Sequence, residues 1–210
     1  MSDVAVVVTG LGATTPIGGT APDSWSAALA GTSGIATMTH DWVAKYDLPV
    51  TFAGEVAVEP SQVLTVPETR RMDRSAQVAL VAAREAFADA GSPEVEGVRL
   101  GVVIGTGLGV LWTLMKGWAT LKERGPRRVL PMTVPMLMPN SSAAYVSIEL
   151  GAKAGTHATV SACASGAEAI AYGLEMIRSG RADVVVAGGT EACVHPLPIA
   201  AFARMQALST

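Results

Sequence analysis

The chain has 210 residues, half of them hydrophobic, with 15 lysines and arginines against 18 aspartates and glutamates and a net charge of −3. That is enough apolar material for one sizeable core or two closely packed lobes, so a disordered chain is excluded, and the charge balance gives no global field that would draw a nucleic acid. The opening MSDVAVVVTG carries an acid where a secretory leader carries lysine or arginine, and the longest uncharged apolar run, residues 100–115, is broken by Gly101, Gly105, Gly107 and Gly109; neither export nor a membrane span is expected, and the reading is cytoplasmic.

Strand and helix patterns then alternate. Residues 4–10, VAVVVTG, are a continuous apolar run of the buried-strand kind. PDSWSAALAG, residues 22–31, predicts a short helix capped by Asp23 or Ser24 and ended by Gly31. Residues 72–93 predict a longer helix, with Asp73 at its start and Gly91 and Pro93 as stop signals; it is apolar on more than one face, as in a helix sandwiched between other elements. RLGVVIGTG, residues 99–107, is a second strand. VLPMTVPMLMPN, residues 129–140, is irregular, its three prolines excluding a helix interior, and is expected to line or cover something. SSAAYVSIELG follows as a helix with Asn140 as cap, then ATVSA (158–162) as a third strand and ADVVVAGG (182–189) as a fourth. An α/β layered fold follows from this alternation.

The two cysteines, Cys163 and Cys193, are expected to be free thiols. Their contexts differ. The strand ATVS ends just before Ala162 and Cys163, and beyond them Ala167, Ile170, Ala171, Leu174 and Ile177 recur at the spacing of one helical face, closed by Ser179 and Gly180. Cys163 is therefore expected at a turn into a helix N-terminus, where unpaired N–H groups and the positive end of the helix dipole stabilise a thiolate. Ala162, Ala164, Ser165 and Gly166 are all small, leaving room for a bulky acyl group to approach the sulfur and the backbone N–H groups. No strand leads directly into Cys193, which reads as structural.

Two glycine-rich turns follow strands, at Gly10 and Gly12 and at Gly105 and Gly107. Thr15 and Val110 stand where the dinucleotide fingerprint requires its third glycine or alanine, so both read as tight turns rather than nucleotide sites. A cysteine nucleophile needs a base or electrophilic partner. His157 lies six residues before Cys163 along a strand, roughly 20 Å away, and His40 and His195 lie in turn-like contexts. From the residues alone the site is half-built.

Five blocks in order, VVVTGLGATTPIG, VVIGTGLG, GPRRVLPMTVP, VSACASGAEAI and ADVVVAGGTEA with FARMQALST, resemble a β-ketoacyl synthase, most closely the elongating type II synthases of bacterial fatty-acid synthesis. The resemblance implies a thiolase-like layered αβαβα fold, with residues 1–210 as the N-terminal half and the C-terminal half outside this sequence. It implies that Cys163 takes an acyl chain from the phosphopantetheine arm of acyl carrier protein, with no separate cofactor and no metal, and that decarboxylative condensation with a malonyl carrier protein follows. The family's two active-site histidines, its lysine and one oxyanion amide belong to the second half, so none of the three histidines here takes those roles and the chain alone is expected to be inactive in condensation. Carried over residue by residue, Leu108 beside Gly107 matches a gate of the acyl pocket, Ala162 precedes the nucleophile, Phe202 matches an aromatic beside it, and Val134 matches a residue reaching across a homodimer interface into the partner's acyl tunnel. Arg70, Arg71, Arg127 and Arg128 match positions facing the acidic carrier protein. Lys116, Lys122, Arg124, Arg127 and Arg128 against Glu123 alone make residues 111–130 basic in an acidic chain, which favours a docking patch over an ordinary solvated face. An aromatic-polyketide ketosynthase shares these motifs, and a chain-length-factor-like partner shares the fold but typically lacks the cysteine.

Overall fold

The computed structural model describes residues 5–209. The chain forms two compact units, one of Thr14–Glu59 and Cys193–Thr210, the other of Met1–Ala13 and Pro60–Ala192.

The smaller unit opens on helix α1 (Ala21–Leu29), whose cap is Thr20, its hydroxyl accepting from the Asp23 N–H at 3.2 Å. Neither expected cap serves, because Ser24 is one turn inside and its hydroxyl is engaged with Thr15 Oγ1 at 2.9 Å. Strands β1 (Ile35–Thr37) and β2 (Phe52–Gly54) pair antiparallel around helix α2 (Asp41–Lys45). Met38, Leu48 and Val50 form this unit's core with Ile199 of its last helix.

In the larger unit, helices α3 (Pro60–Val63) and α4 (Val66–Arg71) precede the long α5 (Arg74–Asp89). Asp73 caps α5 as its sequence predicts, Oδ1 accepting from the Ser75 N–H at 3.0 Å, while Oδ2 accepts from the N–H of Thr113 at 2.8 Å. Strand β3 (Leu100–Gly105) follows, then helices α6 (Leu111–Arg124), α7 (Thr133–Leu137) and α8 (Ser141–Leu150), strand β4 (Gly155–His157), helix α9 (Ser165–Arg178) and strand β5 (Val184–Gly189). Helix α10 (Pro196–Arg204) returns the chain to the smaller unit.

The sheet is parallel in the order β4-β3-β5, with Gly101 opposite Gly155 and Val185. Alternation along the central strand, buried at every residue, divides its side chains between two layers. Leu100, Val102 and Ile104 join Ala76, Leu80, Ala143 and Val146 of α5 and α8, whereas Val103 joins Ala169 and Met176 of α9. On that second face glycines let α9 come close: a Cβ at Gly101 would stand 2.7 Å from Met176 Cε, and one at Gly105 only 2.2 Å from the Ser165 carbonyl oxygen. This is helix–sheet–helix layering, and it aims the N-terminus of α9 at the carboxyl ends of β3 and β5.

Three expectations are corrected. Residues 5–10 form no strand, and Val7 and Val8 are 74% and 76% exposed; Val4 lies outside the described residues. An apolar run has strand propensity, but a strand needs a neighbouring ladder, and these residues find none among the described ones. The third strand is Gly155–His157, upstream of the expected 158–162, because there the chain already bends toward α9. Pro135 sits inside α7, tolerated because it lies in the first turn, where backbone N–H groups have no intrahelical acceptor. Helix α9 turns Ala169, Gly173 and Met176 to its sheet and leaves Ala167, Ile170 and Ala171 exposed.

An acid-sensitive tie links three helices. The carboxylate of Glu68 accepts from the Thr65 N–H at 2.6 Å and from the Thr65 hydroxyl at 2.7 Å, and pairs with Arg84, which also pairs with Glu149. The Thr65 hydrogen bonds, then Arg84, lower the Glu68 pKa from 4.5 to about 2. A depressed carboxylate pKa contributes stability above the unfolded value that is lost as pH falls through the folded one, so this share disappears between about 4.5 and 2. Glu68→Gln is expected to lower the melting temperature above pH ~6, where the carboxylate's share is fully present, and to flatten its pH dependence between about 4.5 and 2, as thermal melts would read.

Candidate active site

Cys163 is exposed, two residues before the first residue of α9. Ala162, immediately before it, has φ +50°, a left-handed conformation that side chains other than glycine adopt at a cost. The bend is held from all sides. The Ala164 N–H donates to Ser161 O at 3.0 Å and the Ser165 N–H to Ala162 O at 3.2 Å. Ser165, buried, accepts from the Ser161 N–H at 2.8 Å and donates its hydroxyl proton to Ala162 O at 2.6 Å. Thr159 Oγ1 donates to Ser165 O at 2.8 Å, and the carbonyl of Thr159 accepts from the Thr106 N–H at 3.1 Å, tying the bend to the end of β3. The Ser161 hydroxyl also donates to Glu168, in the first turn of α9. A backbone held in a strained region by this many bonds is a preorganised one, and what it presents to solvent is a thiol at a helix N-terminus.

Beside the bend lies the loop 106–109. A Cβ on Gly107 would be 3.3 Å from the Ala162 carbonyl oxygen, so the loop touches the residue preceding the nucleophile. Glu191, just beyond β5, accepts from the N–H groups of Gly107 and Leu108, each at 2.9 Å. Leu108 itself is 51% exposed. Gly107, followed by Leu108, thus lies against Ala162, which precedes Cys163. Val134 is 70% exposed on α7. Phe202 lies on α10 of the other unit. Arg70 and Arg71 end α4, Arg127 and Arg128 lie in the 3-10 turn Pro126–Arg128, and all four are exposed. The segment 129–140 does line a cavity: Met132, Pro135 and Met138, with Met72, Leu80 and Ile148, border a space of about 540 Å³.

Each histidine is engaged elsewhere. His40 pairs with Glu55 at 2.9 Å and stacks on Trp42. His157 lies 3.2 Å from Arg181 and 4.9 Å, ring to ring, from Tyr172; burial, and then Arg181, hold its pKa below the ordinary value. His195 caps α10, its Nδ1 accepting from the Leu197 N–H at 3.4 Å, with its pKa also lowered by burial. Among the described residues no group of three or more histidines, cysteines or acids could hold a metal ion, and no helix is long and apolar enough to cross a membrane. Sequence reading missed Glu191, Thr106, Thr159 and Ser165, whose roles depend on which strand ends lie side by side; the small residues after Cys163 were the only signal near them.

The model of the β-ketoacyl synthase N-terminal domain matches residues 3–210. The chain belongs to the β-ketoacyl synthase family. It is 43% identical over 201 residues to a 3-oxoacyl-[acyl-carrier-protein] synthase 2 of Mycobacterium bovis, covering 96% of this chain and 48% of that protein. The protein of the same name from Staphylococcus aureus strain MRSA252 is 42% identical, with 99% and 50% covered. The chain therefore spans about half the length of the curated relatives it matches. Among solved structures, a β-ketoacyl synthase from Burkholderia phymatum superposes with a TM-score of 0.81 at 31% identity, covering 97% of this chain and 50% of that one. A type II polyketide ketosynthase bound to a hexaketide and in complex with its acyl-carrier protein superposes with a TM-score of 0.83 at 28% identity, covering 97% and 49%. As in these β-ketoacyl synthases, the fold is thiolase-like α/β.

Proposed function

We propose that this chain is the nucleophile-bearing half of a 3-oxoacyl-[acyl-carrier-protein] synthase that elongates fatty acyl chains. The observation that carries it is Cys163, exposed on a strained, multiply bonded bend at the start of a 14-residue helix. The Cys163 thiolate attacks the thioester carbonyl of an acyl chain on the phosphopantetheine arm of acyl carrier protein; the new S–C bond forms, the old one breaks, and the arm leaves as a thiolate that takes up a proton from water. A malonyl thioester then loses CO2, its carbanion attacks the acyl-cysteine carbonyl, and the C–S bond to Cys163 breaks. The product is a 3-oxoacyl thioester two carbons longer, and the thiolate is restored. The reaction needs no metal and no cofactor other than the carrier's arm. The groups that assist decarboxylation lie in sequence beyond this chain, His40, His157 and His195 being committed to other partners.

The relatives' shared name supports the fatty-acid reading over the polyketide one, whose structural neighbour stands at 28% identity. Cys163 argues against a chain-length-factor role. The enzyme acts as a cytoplasmic homodimer in which exposed Val134 on α7 reaches the partner's acyl tunnel, and Leu108 gates the pocket. The intact enzyme, given acyl- and malonyl-carrier protein, is expected to release CO2 and form the 3-oxoacyl product; no such product with any acyl length would sink the proposal.

Arg127 and Arg128, with Arg70 and Arg71, dock the acidic carrier protein. Reversing Arg127 and Arg128 to glutamate is expected to raise KM for carrier-bound substrate about tenfold at low salt and less at high salt, because exposed charges act through long-range attraction. Turnover of small pantetheine thioesters is expected to stay within about twofold. Equal losses on both substrates would make the patch structural.

A further inference from the structure

We infer that Glu191 is a positioning residue that latches the Leu108 loop and so sets which acyl chains reach Cys163; the inference rests on the condensing-enzyme reading above. One carboxylate oxygen, Oε2, accepts from two successive backbone N–H groups, Gly107 and Leu108, at 2.9 Å each. The other, Oε1, lies 3.5 Å from Thr106 Oγ1, and that hydroxyl oxygen accepts from the Gly109 N–H at 3.0 Å. Three consecutive N–H groups are thereby fixed by two side chains. Successive N–H groups converging on one oxygen make an anion-binding concavity, here filled by a carboxylate of the same chain.

Among the described residues no lysine or arginine pairs with Glu191; its remaining contact is the neighbouring Ala192 N–H at 3.4 Å. An exposed carboxylate without a cationic partner is expected in open water unless its backbone donors hold it, and these donors belong to the loop that touches Ala162. The result is a division of labour within one residue: the Leu108 backbone is fixed by Glu191, while its half-exposed side chain is left free to move. The neighbouring glycine, Gly109, has φ +69°, and a Cβ at Gly107 would stand 3.0 Å from Glu191 Oε2, so with the carboxylate removed the loop has both the freedom and the space to shift.

The test compares acylation of Cys163 by palmitoyl and butyryl thioesters in the intact enzyme, read by peptide mass. Glu191→Ala is expected to change the palmitoyl-to-butyryl rate ratio by about threefold or more, and Glu191→Asp, which keeps the charge but is one methylene too short, to do the same. Glu191→Gln retains an oxygen that can accept both N–H groups and is expected to stay within about twofold of the parent ratio. Alkylation of Cys163 by iodoacetamide, which needs no acyl pocket, is expected to be unchanged in all three. If the alanine variant does not fold, the aspartate variant decides. An unchanged ratio in the aspartate variant, a glutamine variant as altered as the aspartate one, or iodoacetamide rates falling in parallel would each overturn the latch. A parent enzyme whose Cys163 takes neither acyl group would instead overturn the proposed function, and the gate with it.

Discussion

Cys163→Ala is expected to abolish condensation, with kcat falling by roughly a thousandfold or more, because a covalent intermediate without its nucleophile has no alternative route in this site. Cys193 offers no substitute. It belongs to the other unit, is half-buried, and lies between β5 and α10, outside any strand-to-helix bend. Since Cys163 is exposed, its loss is expected to move stability by no more than about 0.5 kcal/mol, so activity and the melting temperature should separate cleanly. Cys193→Ala is the matched control and should retain turnover. Activity surviving in the Cys163 variant would remove the thiol from the mechanism altogether.

The second large effect is expected at Gly105. A Cβ there would stand 2.2 Å from Ser165 O, 2.5 Å from Ser165 C and 2.6 Å from Thr159 Oγ1. Two of these are backbone atoms at the start of α9 and the third is one of the bonds that hold the bend, so nothing nearby can simply rotate away. Gly105→Ala is therefore expected to destabilise the protein by about 1–3 kcal/mol, the usual cost of overpacking a tight interior. It also displaces the helix that presents Cys163, and a shift of about 1 Å at a reacting group costs on the order of a hundredfold in rate. Gly188→Ala in β5 is the control, because a Cβ there meets nothing within 4 Å. Melting curves and Cys163 acylation rates would read both; equal behaviour of the two variants would contradict the close approach of α9 to the strand ends.

Local signals were legible where the chain decides locally. The Asp73 cap, strands 100–105 and 184–189, the stop of α9 before Gly180 and the bend at Cys163 all follow from residues within a few positions of one another. Residues 5–10 were misread because apolar content cannot say whether a neighbouring strand exists to receive the ladder. Which face α9 turns to the sheet is not set by its own residues. The helix is apolar nearly all round, and the face chosen was decided by glycines on the strand, Gly101 and Gly105, which permit Met176 and Ser165 to approach. Thr106, Thr159 and Glu191 could not be assigned at all: each acts at long sequence separation, across strand ends that only the β4-β3-β5 order makes neighbours. The partners of the three histidines, Glu55, Arg181 and the Leu197 N–H, were likewise not legible in their local sequence.

The central claim is that the thiol on this bend carries the acyl chain, and peptide mass after brief exposure of the intact enzyme to an acyl thioester, without any malonyl donor, tests it most directly. The account predicts a single acyl adduct on the peptide containing Cys163, removed by hydroxylamine as a thioester is, with Cys193 unmodified. An adduct on Cys193, or acyl transfer to product with Cys163 never modified, would contradict it.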